Sequence, residues 1–203
     1  MFNSMKKRTV RALVRKTFFG VLIVLLLAPM RVVLGQKSAG GLRRYYSKES
    51  KVGFRYPAGW KFQPGDASVA GDNFSRMATV SLPEKSYPRT NFVEANATLA
   101  VGGISEAACK EFQPDRQADD PKPRKMRIGN LLYYTVSGAE GAAGSVYQTD
   151  GYRTFHDGKC YEVNLVLHTG NMGAYDPGTV RAVNDKIVFN LLKTVVRTLY
   201  FGK

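Results

Sequence analysis

Apolar and polar residues alternate in short runs along most of the chain after residue 50, a pattern typical of β-strands that bury one face. Alternation is clearest over residues 160–169. One face of that strand collects Tyr161, Val163, Leu165 and Leu167. The opposite face collects Cys160, Glu162, Asn164 and His168. Asp157-Gly158, just before the run, is a strong two-residue hairpin signal and predicts that a second strand pairs with this one.

Further strands are predicted from the same alternation and from the turn residues that end each run. They cover residues 52–56, 60–62, 76–82, 92–101, 126–128, 131–137, 145–156 and 198–201. We expect a β-bulge at Asp150-Gly151, inside the strand over 145–156. Pro57-Ala58-Gly59 predicts a tight turn between the first two of these strands.

Two helices interrupt the strands. Ser105 is a suitable N-cap for a short helix over 105–112, which turns Cys109 inward. Asp176-Pro177 predicts the start of a longer helix. Its apolar residues recur at helical spacing: Val180, Val183, Ile187, Val188, Leu191, Leu192 and Val195. Such a stripe favours packing on the sheet over binding a partner.

The first 35 residues have the order of an export signal. Residues 1–17 are basic, residues 18–28 form an apolar run, and a cut after Gly35 leaves Gln36 as the new N-terminus. The alternative is an uncleaved anchor over 18–34, which would bring Arg31 to the membrane interface. We therefore expect a signal peptide over 1–35, a flexible leader over 36–44 and one domain over 45–203, secreted or periplasmic, with membrane contact only through an uncleaved signal.

Cys109 and Cys160 are the only cysteines of the chain. In an oxidising compartment such a pair normally forms a disulfide, and two buried free thiols are the alternative. If the disulfide forms, the helix over 105–112 must cover the second face of the strand over 160–169, at its Cys160 end.

The formal charge of +14 overstates how basic the exported domain is, because the first 35 residues hold seven of the 30 basic residues and none of the 16 acidic ones. The remaining +7 shows no stripe that would follow a phosphate backbone, so nucleic acid is not expected as a partner. A basic cluster stands at the end of the polar loop over 113–127: Lys122, Arg124, Lys125 and Arg127. The partner of this cluster would be a protein or an anionic envelope component. Tyr133 or Tyr134 would contact the partner as well if these side chains face outward. The alternative is a solvated loop that binds nothing.

Motifs of known chemistry are missing from the sequence. His156 and His168 stand twelve residues apart without the close spacing of zinc ligands, and we interpret both as ordinary strand or turn residues. Neither a nucleophile elbow, a phosphate loop, a dinucleotide fingerprint nor a calcium loop occurs. No cofactor and no metal site is therefore expected, and a non-enzymatic role is favoured.

The segment Gly53-Phe54-Arg55-Tyr56-Pro57-Ala58-Gly59-Trp60 resembles the opening motif of PsbP-like domains. The closing helix followed by Thr198-Leu199-Tyr200-Phe201 is similar to the end of those domains. The resemblance implies an α+β fold, an α-β-α sandwich with a central antiparallel sheet, and a mostly non-enzymatic role in binding or in the assembly of larger complexes. The cysteine pair and the proline-rich loop are not general features of that fold and indicate a separate branch.

The sequence thus predicts an exported, non-catalytic binding or accessory module whose partner it does not reveal. One alternative is an envelope-acting hydrolase whose site is assembled only in three dimensions, from His156 or His168 with a carboxylate and a Ser or Tyr. Another is a structural protein held to the membrane by an uncleaved N-terminus.

Overall fold

The computed structural model describes residues 41–65, 73–112 and 122–202. Within these ranges the chain forms ten strands and two helices. The first half comprises β1 (Leu42–Ser47), β2 (Val52–Pro57), β3 (Lys61–Pro64), β4 (Phe74–Ser81), β5 (Phe92–Gly102) and α1 (Glu106–Glu111). The second half comprises β6 (Arg124–Ile128), β7 (Leu131–Ala142), β8 (Ser145–His156), β9 (Lys159–Gly170), α2 (Asp185–Arg197) and β10 (Tyr200–Phe201).

The N-terminal boundary differs from the sequence expectation. The predicted signal over 1–35 lies outside the described residues. Strand β1 begins at Leu42, inside the stretch 36–44 that the sequence predicts to be a leader. Residues 42–44 pair with β2, so they belong to the folded domain rather than to a flexible segment.

The strands form two antiparallel sheets. The larger one has seven strands in the order β3-β4-β5-β9-β8-β7-β6, and the smaller one has the order β1-β2-β10. The turn predicted at Pro57-Ala58-Gly59 is present, closed by a bond from the Trp60 N–H to the Pro57 carbonyl at 3.0 Å. It joins strands of different sheets, so β2 and β3 are consecutive in the chain without pairing.

The main core lies between one face of the seven-stranded sheet and a layer made of α2 and the small sheet. The apolar face predicted for β9 is confirmed, because Tyr161, Val163, Leu165 and Leu167 are all buried. From the other layer, α2 contributes Val188, Leu192, Val195 and Val196, and β2 contributes Val52 and Phe54. Burying a side chain of this size stabilises the fold by about 1.5–3 kcal/mol.

The predicted start of the long helix is wrong. Asp176-Pro177 opens a turn in which Pro177 and Gly178 take the two central positions, and Gly178 has φ +81°. The Thr179 N–H closes the turn by donating to the Asp176 carbonyl at 3.1 Å. The helix begins at Asp185, after the cap Asn184. Part of the predicted stripe is also outside the core, since Ile187 and Leu191 are exposed.

Helix α1 covers the opposite face of the sheet, as predicted. The Ser105 hydroxyl caps it by accepting the Ala108 N–H at 3.2 Å. Cys109 and Cys160 form a disulfide with their Cα atoms 5.6 Å apart, and both are fully buried beside Phe74 and Ala100. With one helix on each face of a central antiparallel sheet, the predicted α+β sandwich is confirmed.

The bulge expected at Asp150-Gly151 is absent, because β8 pairs with both neighbours in continuous register. Gly151 instead makes room for the ring of Phe112, which follows α1: a Cβ at position 151 would lie 2.7 Å from that ring. The Arg153 guanidinium packs on the same ring, 4.5 Å from its centroid, and donates to the Phe112 carbonyl at 2.6 Å. The glycine therefore serves the docking of α1.

Neither α1 nor α2 is long and apolar enough to cross a membrane, a finding limited to the described ranges.

Reducing the disulfide should destabilise the domain. It links residues 51 apart, and the chain-entropy model gives an upper value of about 4 kcal/mol for a loop of that length. We expect dithiothreitol to lower the melting temperature of the wild type by several degrees, measured by calorimetry. The variant with Cys109→Ser and Cys160→Ser, the control, should melt at the same temperature with and without reductant. Two thiols titrating in the folded, unreduced wild type would contradict the prediction.

Candidate binding cleft

The four residues of the predicted basic cluster do not share one surface. From position 124 onward they stand on β6, the edge strand of the large sheet, rather than in a loop. Strand alternation sends Arg124 to the α2 face, together with its neighbour Met126. Lys125 and Arg127 point to the α1 face, where Lys125 lies 5.9 Å from the ring centroid of Tyr134.

The aromatic neighbours named from the sequence are divided in the same way. Tyr133 is fully buried and its hydroxyl donates to the Val196 carbonyl at 3.2 Å, so the outward orientation considered for it is wrong. Tyr134 is half-buried on the opposite face, with Lys110 as well as Lys125 5.9 Å from its ring centroid. Cations on an edge strand also hinder pairing with the edges of other chains.

Lys122 and Arg124 line a cleft of about 160 Å³ between β6, β7, β8 and α2, which we call the basic cleft. Lys193 of α2 closes one side of it. Its remaining walls are formed by Met126, Thr135, Val136, Ser137, Asp150, Gly151 and Tyr152. The cleft therefore brings two residues of the predicted cluster together with residues that no sequence motif singled out.

Asp150 is the centre of the hydrogen-bond network in the basic cleft. Its carboxylate accepts from the Ser137 hydroxyl at 2.6 Å and, in a long contact, from the Tyr152 hydroxyl at 3.5 Å. The Lys193 ammonium lies 3.3 Å from the same group. Only 18% of the Asp150 side chain is exposed, so its charge is largely compensated from within the protein.

Lys122 and Arg124 are exposed and have no carboxylate within ion-pair distance among the residues that the structure describes. Lys193 and Asp150 compensate each other, so the described residues that line the basic cleft carry a net positive charge. A concave site with two uncompensated cations attracts anions. Arginine adds a planar fork that matches a carboxylate or a phosphate.

A second arrangement was not predicted. The Nε2 atom of His168 lies 2.9 Å from the Ser145 Oγ atom, and the His168 ring stacks on Tyr147 with centroids 4.2 Å apart. Glu94 of β5 is the register partner of His168 on its other side. The correctly predicted Asp157-Gly158 turn sets the β8–β9 register, in which Tyr147 opposes His168. Ser145 is two residues before Tyr147 on the same face, so this register was the sequence signal for the Ser145–His168 contact.

The other histidine lies near the tip of the β8–β9 hairpin. His156 stacks on Phe201 with centroids 3.9 Å apart, and its Nε2 atom is 3.4 Å from an Asp157 carboxylate oxygen. Across residues 41–65, 73–112 and 122–202, no group of three or more His, Cys, Asp or Glu side chains is placed to hold a metal ion.

The architecture is that of an α+β domain with a central antiparallel sheet, and known structures share it. No protein-family model and no curated protein matches the chain. Similar structures include PsbP (CyanoP) from Synechocystis, with 16% identity, a TM-score of 0.45, and coverage of 82% of this chain and 96% of that chain. The PsbP-like domains that the sequence resembles are thus represented among the structures to which this chain is similar.

Two further structures have the same kind of likeness. A protein from Bacteroides thetaiotaomicron shows 13% identity and a TM-score of 0.49 over 79% of this chain. The match covers 48% of that protein, so the chain spans about half its length. LpqN of Mycobacterium tuberculosis, which is involved in cell envelope biogenesis, shows 12% identity and a TM-score of 0.42, with coverage of 83% of this chain and 88% of LpqN.

The phenol of Tyr152 should make the stability depend on alkaline pH. Burial, followed by the charge of Asp150, raises the pKa of Tyr152 above its ordinary value of 10.0. The contribution of the neutral Tyr152 phenol to the free energy of unfolding is complete below pH 10.0. It is lost as the pH rises, because the phenol ionises in the unfolded chain at a lower pH than in the folded one. In urea unfolding at a series of pH values, Tyr152→Phe should lose less stability above about pH 10 than the wild type. Tyr147→Phe, on the opposite face of β8, is the control, and an identical pH dependence of Tyr152→Phe and wild type would contradict the assignment.

Proposed function

We propose that the protein is an extracytoplasmic, non-catalytic binding or accessory module that captures an anionic partner in the basic cleft. The observation that carries the proposal is the pair of exposed cations, Lys122 and Arg124, which have no carboxylate partner among the described residues and lie beside the satisfied Asp150–Lys193 pair. The neutralised Asp150–Lys193 pair forms part of the wall of the basic cleft. Lys122 and Arg124 attract an anionic partner to it. The partner is accordingly a protein with an acidic segment or an anionic envelope polymer.

Secretion or a periplasmic location is supported by two features. The basic and apolar order of residues 1–35 is that of an export signal. The Cys109–Cys160 disulfide fits an oxidising compartment. Both features belong to the chain itself and do not depend on the structural similarities.

Two double variants with the same change in charge test this proposal. Lys122→Ala with Arg124→Ala empties the basic cleft of uncompensated cations. Lys125→Ala with Arg127→Ala removes the same charge from the other face of the β6 segment. We expect the first variant to retain about tenfold less partner from the producing cell's envelope fraction. It loses two charge-assisted contacts of about 0.5–1 kcal/mol each, which together weaken the binding free energy by about 1–2 kcal/mol.

The second variant should bind as the wild type does. Binding by the wild type should weaken as salt is raised from about 0.05 to 0.5 M, because salt screens exposed charges. Equal losses in the two variants, or capture that is independent of salt, would remove the basic cleft from the proposal. Circular dichroism of both variants verifies that the fold is retained.

A second candidate function, hydrolysis of envelope material, is favoured by one observation, the 2.9 Å contact between Ser145 and His168. In such a reaction the Ser145 oxygen attacks a carbonyl carbon while His168 takes the hydroxyl proton. His168 then gives the proton to the leaving group, and water cleaves the acyl-enzyme. Glu94 is the register partner of His168 on β5, and its carboxylate accepts a hydrogen bond from the Asn96 side chain at 3.1 Å.

A fluorophosphonate probe distinguishes the two functions. If the protein only binds, the wild type should be labelled no more than the Ser145→Ala variant, because a hydroxyl that is not activated reacts slowly with the probe. Labelling of the wild type that is lost in both Ser145→Ala and His168→Gln would instead establish the hydrolase. Ser137→Ala is the control, since Ser137 bonds Asp150 and no histidine.

A further inference from the structure

The outward face of the small sheet carries two tyrosines on either side of a glycine. Tyr46 of β1 and Tyr200 of β10 are both register partners of Gly53 on the central strand. Their rings are parallel within 4° with centroids 6.0 Å apart. A Cβ on Gly53 would lie 2.4 Å from the Tyr200 hydroxyl oxygen, so glycine is what allows that ring to extend across β2.

Arg44 lies over the same two rings in cation–π contact. Its guanidinium carbon lies 5.4 Å from the Tyr46 centroid and 5.0 Å from the Tyr200 centroid, and its Nε–H donates to the Tyr200 hydroxyl. No other described residue accepts a hydrogen bond from its terminal nitrogens. The cation is therefore positioned before any ligand arrives, while its two-pronged end remains available.

Strand alternation identifies the other residues on this surface, which we call the tyrosine–arginine face. It comprises Leu42, Arg44, Tyr46, Gly53, Arg55, Pro57 and Tyr200. Both arginines are exposed and Tyr46 is 37% exposed. The face contains two cations and no carboxylate, so it complements a ligand that is itself anionic.

We propose that the tyrosine–arginine face binds an acidic glycan, a chain of sugar rings that carry carboxylate groups. Aromatic ring faces are electron-rich and attract the slightly positive C–H groups on one side of a sugar ring. The fork of Arg44 matches a carboxylate on that ring, and Arg55, its direct register partner on β2, places a second cation beside it. A lipid surface is disfavoured because Leu42 and Pro57 are the only aliphatic side chains on the face.

The test uses the full chain and defined probes. A set of acidic oligosaccharides, made of galacturonate, mannuronate or hyaluronan, is titrated calorimetrically beside neutral glucans of equal length. We expect at least one acidic series to bind in preference to the neutral one, with about tenfold weaker binding for Arg44→Ala and for Tyr46→Ser. The matched control is Arg43→Ala, because Arg43 is an exposed arginine next in sequence whose side chain alternates to the other face of β1.

Three results would overturn the proposal: no binding to any acidic oligosaccharide, an equal loss in Arg43→Ala, or tighter binding to poly-glutamate or anionic phosphatidylglycerol vesicles. Loss of oligosaccharide binding in Arg44→Ala tests this face, whereas loss of capture from the envelope fraction in the Lys122→Ala, Arg124→Ala variant tests the basic cleft. The inference therefore stands or fails separately from the role proposed for the basic cleft.

Discussion

The two-faced burial of β9 is the constraint on which the rest of the structure depends. This strand lies at the centre of the large sheet, with β5 on one side and β8 on the other. Its apolar face packs against α2 and the small sheet, while Cys160 on the opposite face bonds α1. A shift of one residue in its register would exchange the two faces, placing Cys160 in the main core and turning Leu165 to the opposite face. Both layers therefore support the same register.

The candidate surfaces lie where this packing ends. At the edge of the sheet, β6 pairs with β7 alone among the described strands, and its alternating cations divide between two faces. Asp150 of β8 pairs there with Lys193 of α2, and among the described residues Lys122 and Arg124 have no carboxylate partner. On the small sheet, a glycine in the central strand gives two tyrosines a shared surface. Binding chemistry is thus found on the edges and outer faces of the domain, away from its core.

A basic cluster in the sequence proved to be two surfaces in the structure, and the reason is geometric. Adjacent residues of a strand point in opposite directions, so a run of four cations cannot act as one site once it is part of a sheet. A loop would have allowed all four to face one ligand. Tyr133 and Tyr134 illustrate the same rule, since one is fully buried and its neighbour is half-buried.

The sequence by itself determined the α+β class, most strands, the Asp157-Gly158 hairpin and the Ser105 cap, because alternation, turns and caps are local signals. It also determined the Cys109–Cys160 pairing, because the chain has no other cysteines. It misplaced the start of α2, since Asp176-Pro177 suits a turn as well as a helix. Only the tertiary structure decided the second sheet, the Asp150–Lys193 pair and the stacked tyrosines. Each of these joins residues far apart in the chain, and strand order and register are set by global packing.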